Sequence, residues 1–346
     1  MCIVLSETGL TFDDVELEPR FTNIPSRFDE SIDLSTQLLY GVNGVKLLYP
    51  IISANMDTVT GKDMAAAMYD LGGLGIIHRF MTSEAHRVAI IDSAVPYKVV
   101  CIGVGASGQH RLGEMADIAK AVLIDVAHGH CDAVIDQIKW LKSAYPHLPV
   151  IAGNIATRAA AEDLILAGAN CLKVGIGPGS LCTTRLQTGC GVPQLTAILN
   201  VAKAIYEVNK PITLIADGGI KNSGDIVKAL AAGADAVMIG NLFAGTVETP
   251  GTVFHDPGSL GPYKIYRGMA SQEAQLSWKG SATSVEGELK RVRWNGNVKT
   301  VFSSLINGIL SGMTYQNARN LHELRVNAVF RPQTQAGYRE STPHAL

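Results

Sequence analysis

The chain has 346 residues, of which 47% are hydrophobic and 17% charged, with 35 glycines and a formal charge of −2. That balance excludes a basic nucleic-acid tract and a membrane-surface patch, so any phosphate must be recognised locally, by backbone amides. No apolar run approaches the length of a membrane span, and length alone leaves open one large domain or two.

In chain order, residues 1–49 form an extension ahead of the first regular alternation. Short apolar runs then recur, each closed by glycine, a small residue or a polar one. They are PIISA (50–54), GGLGIIH (72–78), KVVCIGVG (98–105), AVLIDVA (121–127), PVIAGN (149–154), CLKVGIG (171–177), ITLIADG (212–218) and DAVMIG (235–240). Helix-like stretches lie between them, among them GKDMAAAMYDL, DAVIDQIKWLKSAY, TRAAAEDLILAGA and SGDIVKALAAGA. Eight β–α alternations with strands apolar on both faces predict an α/β chain whose parallel sheet closes into a (β/α)8 TIM barrel. A doubly wound open sheet is the alternative. Residues 241–310 form a polar, glycine-rich insertion around the last helix, expected to act as an active-site flap after strand eight. With no linker and no internal repeat beyond the βα unit, a single domain spanning 1–346 is expected.

In such a barrel, chemistry belongs where strands end and βα loops begin. Asn55, Asp57, Asp125, Asn154 and Asp217 all fall there, and so does GIGPGSLCTTRLQTGCGVPQ (175–194) after the sixth run. A structural loop around a buried cysteine is one reading of that stretch. The other is a nucleophile, since glycines free backbone N–H groups and Arg185 stands close to Cys182. Its place on the rim favours the nucleophile. After strands seven and eight come DGGIKNSGD (217–225) and MIGNLFAG (238–245), at the two loops that often bind phosphate in this fold. Gly218, Gly219, Gly240 and Asn241 would offer amides, Ser180 a hydroxyl, and Asp217 a carboxylate one ribose away.

Cys2, Cys101, Cys131, Cys171, Cys182 and Cys190 form no CxxC pair and no regular framework. With no signal peptide ahead of them, they read as reduced thiols of a cytoplasmic protein, Cys171 and Cys190 as core or inert ones. His128 and His130 in AHGH lack the further ligands that zinc requires.

KVGIGPGSLCTTRLQTGCGVPQ, IADGGIKNSGDIVKALAAGADAVMIGNLFAGT, YRGMAS, SANMDTV and AHGH together resemble the IMP dehydrogenase/GMP reductase family over nearly the whole chain. The resemblance implies a TIM barrel, usually a homotetramer, acting at C2 of a purine nucleotide through a cysteine thioimidate. Two absences point to its reductase branch. Only MTSEAHRVAIIDSAVPY (81–97) stands where dehydrogenases typically insert paired CBS modules. Between YRGMAS and VRWNGNV there is no Arg-Tyr pair, and SVEGE makes Glu286 the counterpart of the reductase glutamate. The resemblance therefore implies an oxidoreductase, expected to be a GMP reductase that reductively deaminates GMP to IMP and ammonia with NADPH. The alternative is an IMP dehydrogenase lacking CBS modules, oxidising IMP to XMP with NAD. A non-catalytic nucleotide-binding protein is a third reading, opposed by the intact Cys-Thr-Thr-Arg run.

On the resemblance, Cys182, Thr184 and Glu286 are catalytic. Substrate contacts carry over to Ser180, Asp217, Gly218, Gly219, Gly240, Asn241, Gly268, Met269, Ala270 and Gly287. Cofactor contacts carry over to Ser26, Arg27, Arg79, Asp125, Val126, Ala127, Ile176 and Gly177. Ala282 and Thr283 replace the Tyr-Arg pair common in reductases, leaving Arg27, Arg79 or Lys279 to meet a 2′-phosphate. A monovalent cation, K+, is expected at the carbonyls of Gly177, Gly179 and Cys182 beside Arg185, with YRESTPH (338–344) resembling the dehydrogenase tail that completes such a site. Small-molecule partners (GMP and IMP) are expected, with no nucleic acid and no membrane.

Overall fold

Where the sequence is apolar on both faces, the chain forms strands with no solvent side. The computed structural model describes residues 8–256 and 261–343. Its eight central strands are β1 (Ile51–Ser53), β2 (Leu74–Gly75), β3 (Val99–Ile102), β4 (Ala121–Asp125), β5 (Val150–Ile155), β6 (Cys171–Val174), β7 (Thr213–Asp217) and β8 (Ala236–Ile239). They lie in the order β2-β1-β8-β7-β6-β5-β4-β3, every pair parallel. Because β8 pairs with β1 (Val237 opposite Ile51, Ile239 opposite Ser53), the sheet curls back onto its own beginning. That pairing selects the barrel over the open doubly wound sheet. All eight expected runs are strands of this sheet, whose ladder is interrupted between β2 and β3.

Helices follow the strands and cover the sheet. Side-chain oxygens satisfy several of their first amides: Thr82 accepts from Ala85, Thr157 from Ala160 and Asn222 from Asp225. Residues 8–49 reach both ends of the barrel: Thr11, Phe12 and Asp13 lie at the rim beyond β7 and β8, and the following hairpin lies at the opposite end. The hairpin Thr36–Leu39 and Val45–Leu47 buries Leu38 and Leu39, and the Thr213 hydroxyl at the start of β7 donates to the Leu38 carbonyl at 2.6 Å. Val15–Leu17 pairs with Phe330–Pro332, tying the two ends of the chain together. Among the described residues, no helix is long and apolar enough to cross a membrane.

The expected flap is an antiparallel hairpin, Tyr263–Arg267 against Leu289–Arg293, with the helix Gln272–Lys279 in its connection. The last barrel helix, Val298–Tyr315, follows it. The residues 81–97 hold one helix, Ser83–Asp92, on the open seam between β2 and β3. The seam is stitched by side chains: Arg111 donates to the Met81 carbonyl at 2.6 Å and Arg79 to the Asp125 carbonyl at 3.1 Å.

His86 lies inside this seam, fully buried. Burial, reinforced by the Arg111 and His78 charges, pushes it down to about 3 from the usual 6.5. The unfolded chain therefore takes up a proton near pH 6.5 that the folded chain refuses until far lower pH. Stability is complete above that point and falls as pH drops towards 3, by up to about 1.4 kcal/mol per pH unit. His86→Leu is expected to narrow the gap between urea midpoints measured at pH 7 and pH 5; an unchanged gap contradicts a histidine held neutral by burial.

Candidate active site

Glycine lets the ends of β6 and β7 come into contact. Gly175 has φ +150°, and a Cβ there would stand 2.0 Å from the Asp217 carbonyl oxygen. The Gln194 side-chain amide then donates to both strand ends, to the Val174 carbonyl at 2.9 Å and the Asp217 carbonyl at 3.2 Å. Arg185 staples the loop between them, reaching the Ile176 carbonyl at 2.9 Å and the Val192 carbonyl at 2.6 Å. The stretch that reads as flexible is thus held at both ends and across its middle.

Within it Cys182 is exposed, and its thiol donates to the Thr184 hydroxyl at 3.2 Å. Thr184 in turn donates to the Glu286 carboxylate at 2.7 Å, across 102 residues of sequence. The flap backbone delivers that carboxylate. Thr183 N–H donates to the Glu286 carbonyl at 3.0 Å, Glu288 N–H to the Leu181 carbonyl at 2.9 Å, and Glu286 N–H to the Ala270 carbonyl at 3.1 Å. A thiol, a hydroxyl and a carboxylate in line form a route for one proton to or from the sulfur's neighbourhood.

Two adjoining cavities open at this rim, the larger of them onto this line. The larger, about 550 Å³, is lined by Cys182, Thr184 and Glu286, by Gly268, Met269, Ala270 and Gly287 of the flap, and by Arg79, Asp125, Val126, Ala127, Ile176 and Gly177. The smaller, about 310 Å³, is lined by Gly219, Gly240, Asn241 and Arg185. Gly179, Ser180, Asp217 and Gly218 border both. Ser26 and Arg27 lie in an exposed segment and line neither cavity of the single chain. The segment folds on its own turns, with the Ser26 hydroxyl and carbonyl accepting from the Phe28 and Asp29 amides, while nearby Asn23 bonds Asn317 and Arg319.

Three groups escaped the reading of the sequence. Lys173 of β6 is buried, with its ammonium 2.6 Å from one oxygen of Asp217 and 3.4 Å from Asp125. Burial would push it down, but the two carboxylates outweigh that and hold its ammonium firmly charged. Its signal was a charge inside the apolar run CLKVGIG. Tyr266 is buried beside Gly240, where a Cβ would stand 2.7 Å from the phenol oxygen. Trp278 of the flap packs edge-on against Phe80, ring centres 5.1 Å apart, and both line the larger cavity.

That aromatic pair, together with the Asp125 carboxylate, suits the flat rings and ribose hydroxyls of a nicotinamide dinucleotide. The cysteine loop supplies neutral carbonyl donors, the chemistry of a weakly held monovalent ion rather than a divalent one. Of these, the Gly179 carbonyl accepts from Cys182 N–H at 3.1 Å. Pro343 ends the described part of YRESTPH, and His344 lies outside the described residues. His130 pairs with Asp163 at 2.8 Å, and no group of three or more His, Cys, Asp or Glu suited to a metal occurs among the described residues. Cys101 and Cys171 are buried, and burial pushes Cys171 up to about 12. Cys190, expected in the core or inert, is exposed because its loop carries it outward beside Thr188.

A barrel with a thiol at the rim of β6 and a glycine cradle beyond β7 and β8 defines a nucleotide-site class. Residues 9–344 match the model of the IMP dehydrogenase / GMP reductase domain, and the chain belongs to that family of purine-nucleotide oxidoreductases. It is 37% identical to the inosine-5′-monophosphate dehydrogenase of Borreliella burgdorferi, with 98% of each chain covered. The enzymes of the same name from Aquifex aeolicus and Nitrosopumilus maritimus are 33% and 31% identical, each covering 97% of this chain and at least 95% of the relative. Those alignments run over 476 and 475 positions, well beyond this chain's 346 residues, so both relatives carry segments with no counterpart here.

Gly175→Ala tests the contact on which the site is built. It is expected to cost about 1–3 kcal/mol through overpacking and to weaken purine mononucleotide binding by displacing Asp217. Thermal unfolding and ligand titration read the two effects; an alanine variant with unchanged melting and affinity would rule out the close approach.

Proposed function

We propose that this protein oxidises IMP at purine C2 with NAD, through a thioimidate on Cys182. The observation that carries the covalent chemistry is the line Cys182–Thr184–Glu286 in the wall of the larger cavity. The names of its relatives support oxidation of IMP as the working direction, ahead of the GMP reduction that the flap sequence suggested. A second reading, NADPH-dependent reduction of GMP, rests on one observation. The flap brings Glu286 onto Thr184 and, between the described strands Tyr263–Arg267 and Leu289–Arg293, contains no Arg-Tyr pair.

In the smaller cavity, the glycine loops at Gly218–Gly219 and Gly240–Asn241 bind the phosphate through backbone amides, as short or absent side chains allow. Asp217 accepts from the ribose hydroxyls and so sets the purine's distance from Cys182. Asp125, Arg79 and the Phe80–Trp278 wall would hold the nicotinamide dinucleotide, which would supply a hydride acceptor when bound. Cys182 sulfur bonds to C2 and loses its proton along Thr184 to Glu286, and the C2 hydrogen departs with its electron pair. Glu286 releases that proton to solvent; water then adds at C2, its proton passing through Thr184 to Glu286 and on to the Cys182 sulfur as the C–S bond breaks. Run on GMP, the same two groups would instead hand a proton to the departing amine while the sulfur adds. Gly177, Gly179 and Cys182 would hold K+ through carbonyls, with Arg185 bracing the loop. The proposal further comprises one catalytic barrel without CBS modules, assembled as a homotetramer in the cytoplasm.

The deciding assay follows reduced-cofactor absorbance with IMP plus NAD and, separately, with GMP plus NADPH. Sustained IMP oxidation is expected. Steady GMP reduction, with no more than one turnover from IMP, would replace the first reading by the second, and silence in both would overturn the oxidoreductase. In whichever direction turns over, Cys182→Ala should abolish turnover while leaving mononucleotide affinity within a few-fold. Glu286→Gln should slow it by about 10²–10⁴-fold, the usual contribution of a general acid or base.

A further inference from the structure

Asp125, Lys173 and Asp217 come from three strands, and their arrangement spans the two cavities. Asp125 lines the larger cavity and Asp217 borders both. In the sheet, Asp125 stands opposite Gly153, and Gly153 opposite Lys173, so the carboxylate and the lysine share one level two strands apart. Gly153 provides the gap between them: a Cβ there would lie 2.7 Å from the Lys173 Cβ. Across that gap the ammonium reaches Asp125 at 3.4 Å while holding Asp217 at 2.6 Å. Asn154 adds a second donor to the same Asp217 oxygen at 2.9 Å. The lysine side chain is 4% exposed, against 15% and 20% for the two carboxylates. The carboxylates therefore meet ligand, and the lysine acts behind them.

We propose that Lys173 is a positioning residue that couples the two ligands, sharing one ammonium between the carboxylate that takes the mononucleotide ribose and the one that takes the dinucleotide. The inference rests on the nucleotide oxidoreductase reading above. Ribose hydroxyls donated to either carboxylate compete with the ammonium for its lone pairs, and the shift is felt at once by the other. The first ligand thus orders the cluster that the second must meet, and the second binds at a lower entropic cost. The same link fixes the separation of the two sugars, on which the approach of hydride donor and acceptor depends.

The experiment uses the full chain carrying Cys182→Ala, in which IMP and NAD form a ternary complex without reacting. Calorimetric titration gives the Kd of each ligand with and without the other. With Lys173 present, each is expected to tighten the other by about tenfold, within the usual range of such couplings. In Lys173→Gln the ratio should fall to about one, with Lys173→Arg restoring part of it. Should Lys173→Gln fail to fold, Asp125→Asn cuts the link at its other end and should abolish the ratio too. IMP bound with the ratio absent at the outset, or unchanged in these variants, overturns the coupling and leaves the function standing. No binding of IMP by the Cys182→Ala protein overturns the function and the coupling together.

Discussion

The site depends on one close approach, the backbone of Gly175 against the carbonyl of Asp217. β6 and β7 already run side by side at ladder spacing, with Val174 opposite Ala216. The missing Cβ at Gly175 lets the Asp217 carbonyl pack against the end of β6, and the Gln194 amide locks the two strand ends by bonding both carbonyls. Everything with chemical potential then radiates from that junction. The cysteine loop leaves from one strand, the first glycine cradle leaves from the other, and Asp217 stands between.

A second constraint is longer in range. Glu286 is useful only because the flap backbone pairs with the cysteine loop on both sides of it. Those are amide–carbonyl bonds, largely indifferent to side-chain identity, so the flap can dock while its sequence varies. The chemistry at the dock depends on which side chains the flap brings. In this chain it brings a carboxylate to Thr184, a tryptophan to Phe80, and backbone carbonyl and amide groups to the cysteine loop. Oxidation and reduction at one carbon differ in whether water or an amine must be served there, a difference of proton management rather than of fold.

The electrostatic design follows from the same economy. A net charge near zero leaves no broad positive field to gather a nucleotide. On the proposed reading, recognition would instead be divided among backbone amides for phosphate, two carboxylates for sugar hydroxyls, and one buried lysine between those carboxylates. The lysine donates to Asp217 and stands within ion-pair reach of Asp125, and Gly153 makes room for it to do so.

The sequence by itself determined a parallel sheet covered on both faces by helices, because eight runs apolar on both faces leave no arrangement in which any strand faces water, and βα alternation makes such a sheet parallel. It also determined the rim positions of Cys182, Asp217 and the glycine cradles, since loop position follows from strand position in this fold. Tertiary structure alone decided the rest. The pairing of β8 with β1 distinguishes closure from an open sheet, and no local pattern encodes it. Lys173 read as a lone charge in an apolar strand until Asp125 and Asp217 appeared beside it from two other strands. The meeting of Thr184 with Glu286 spans 102 residues and is set by backbone pairing between two loops, a contact that only the folded chain can specify.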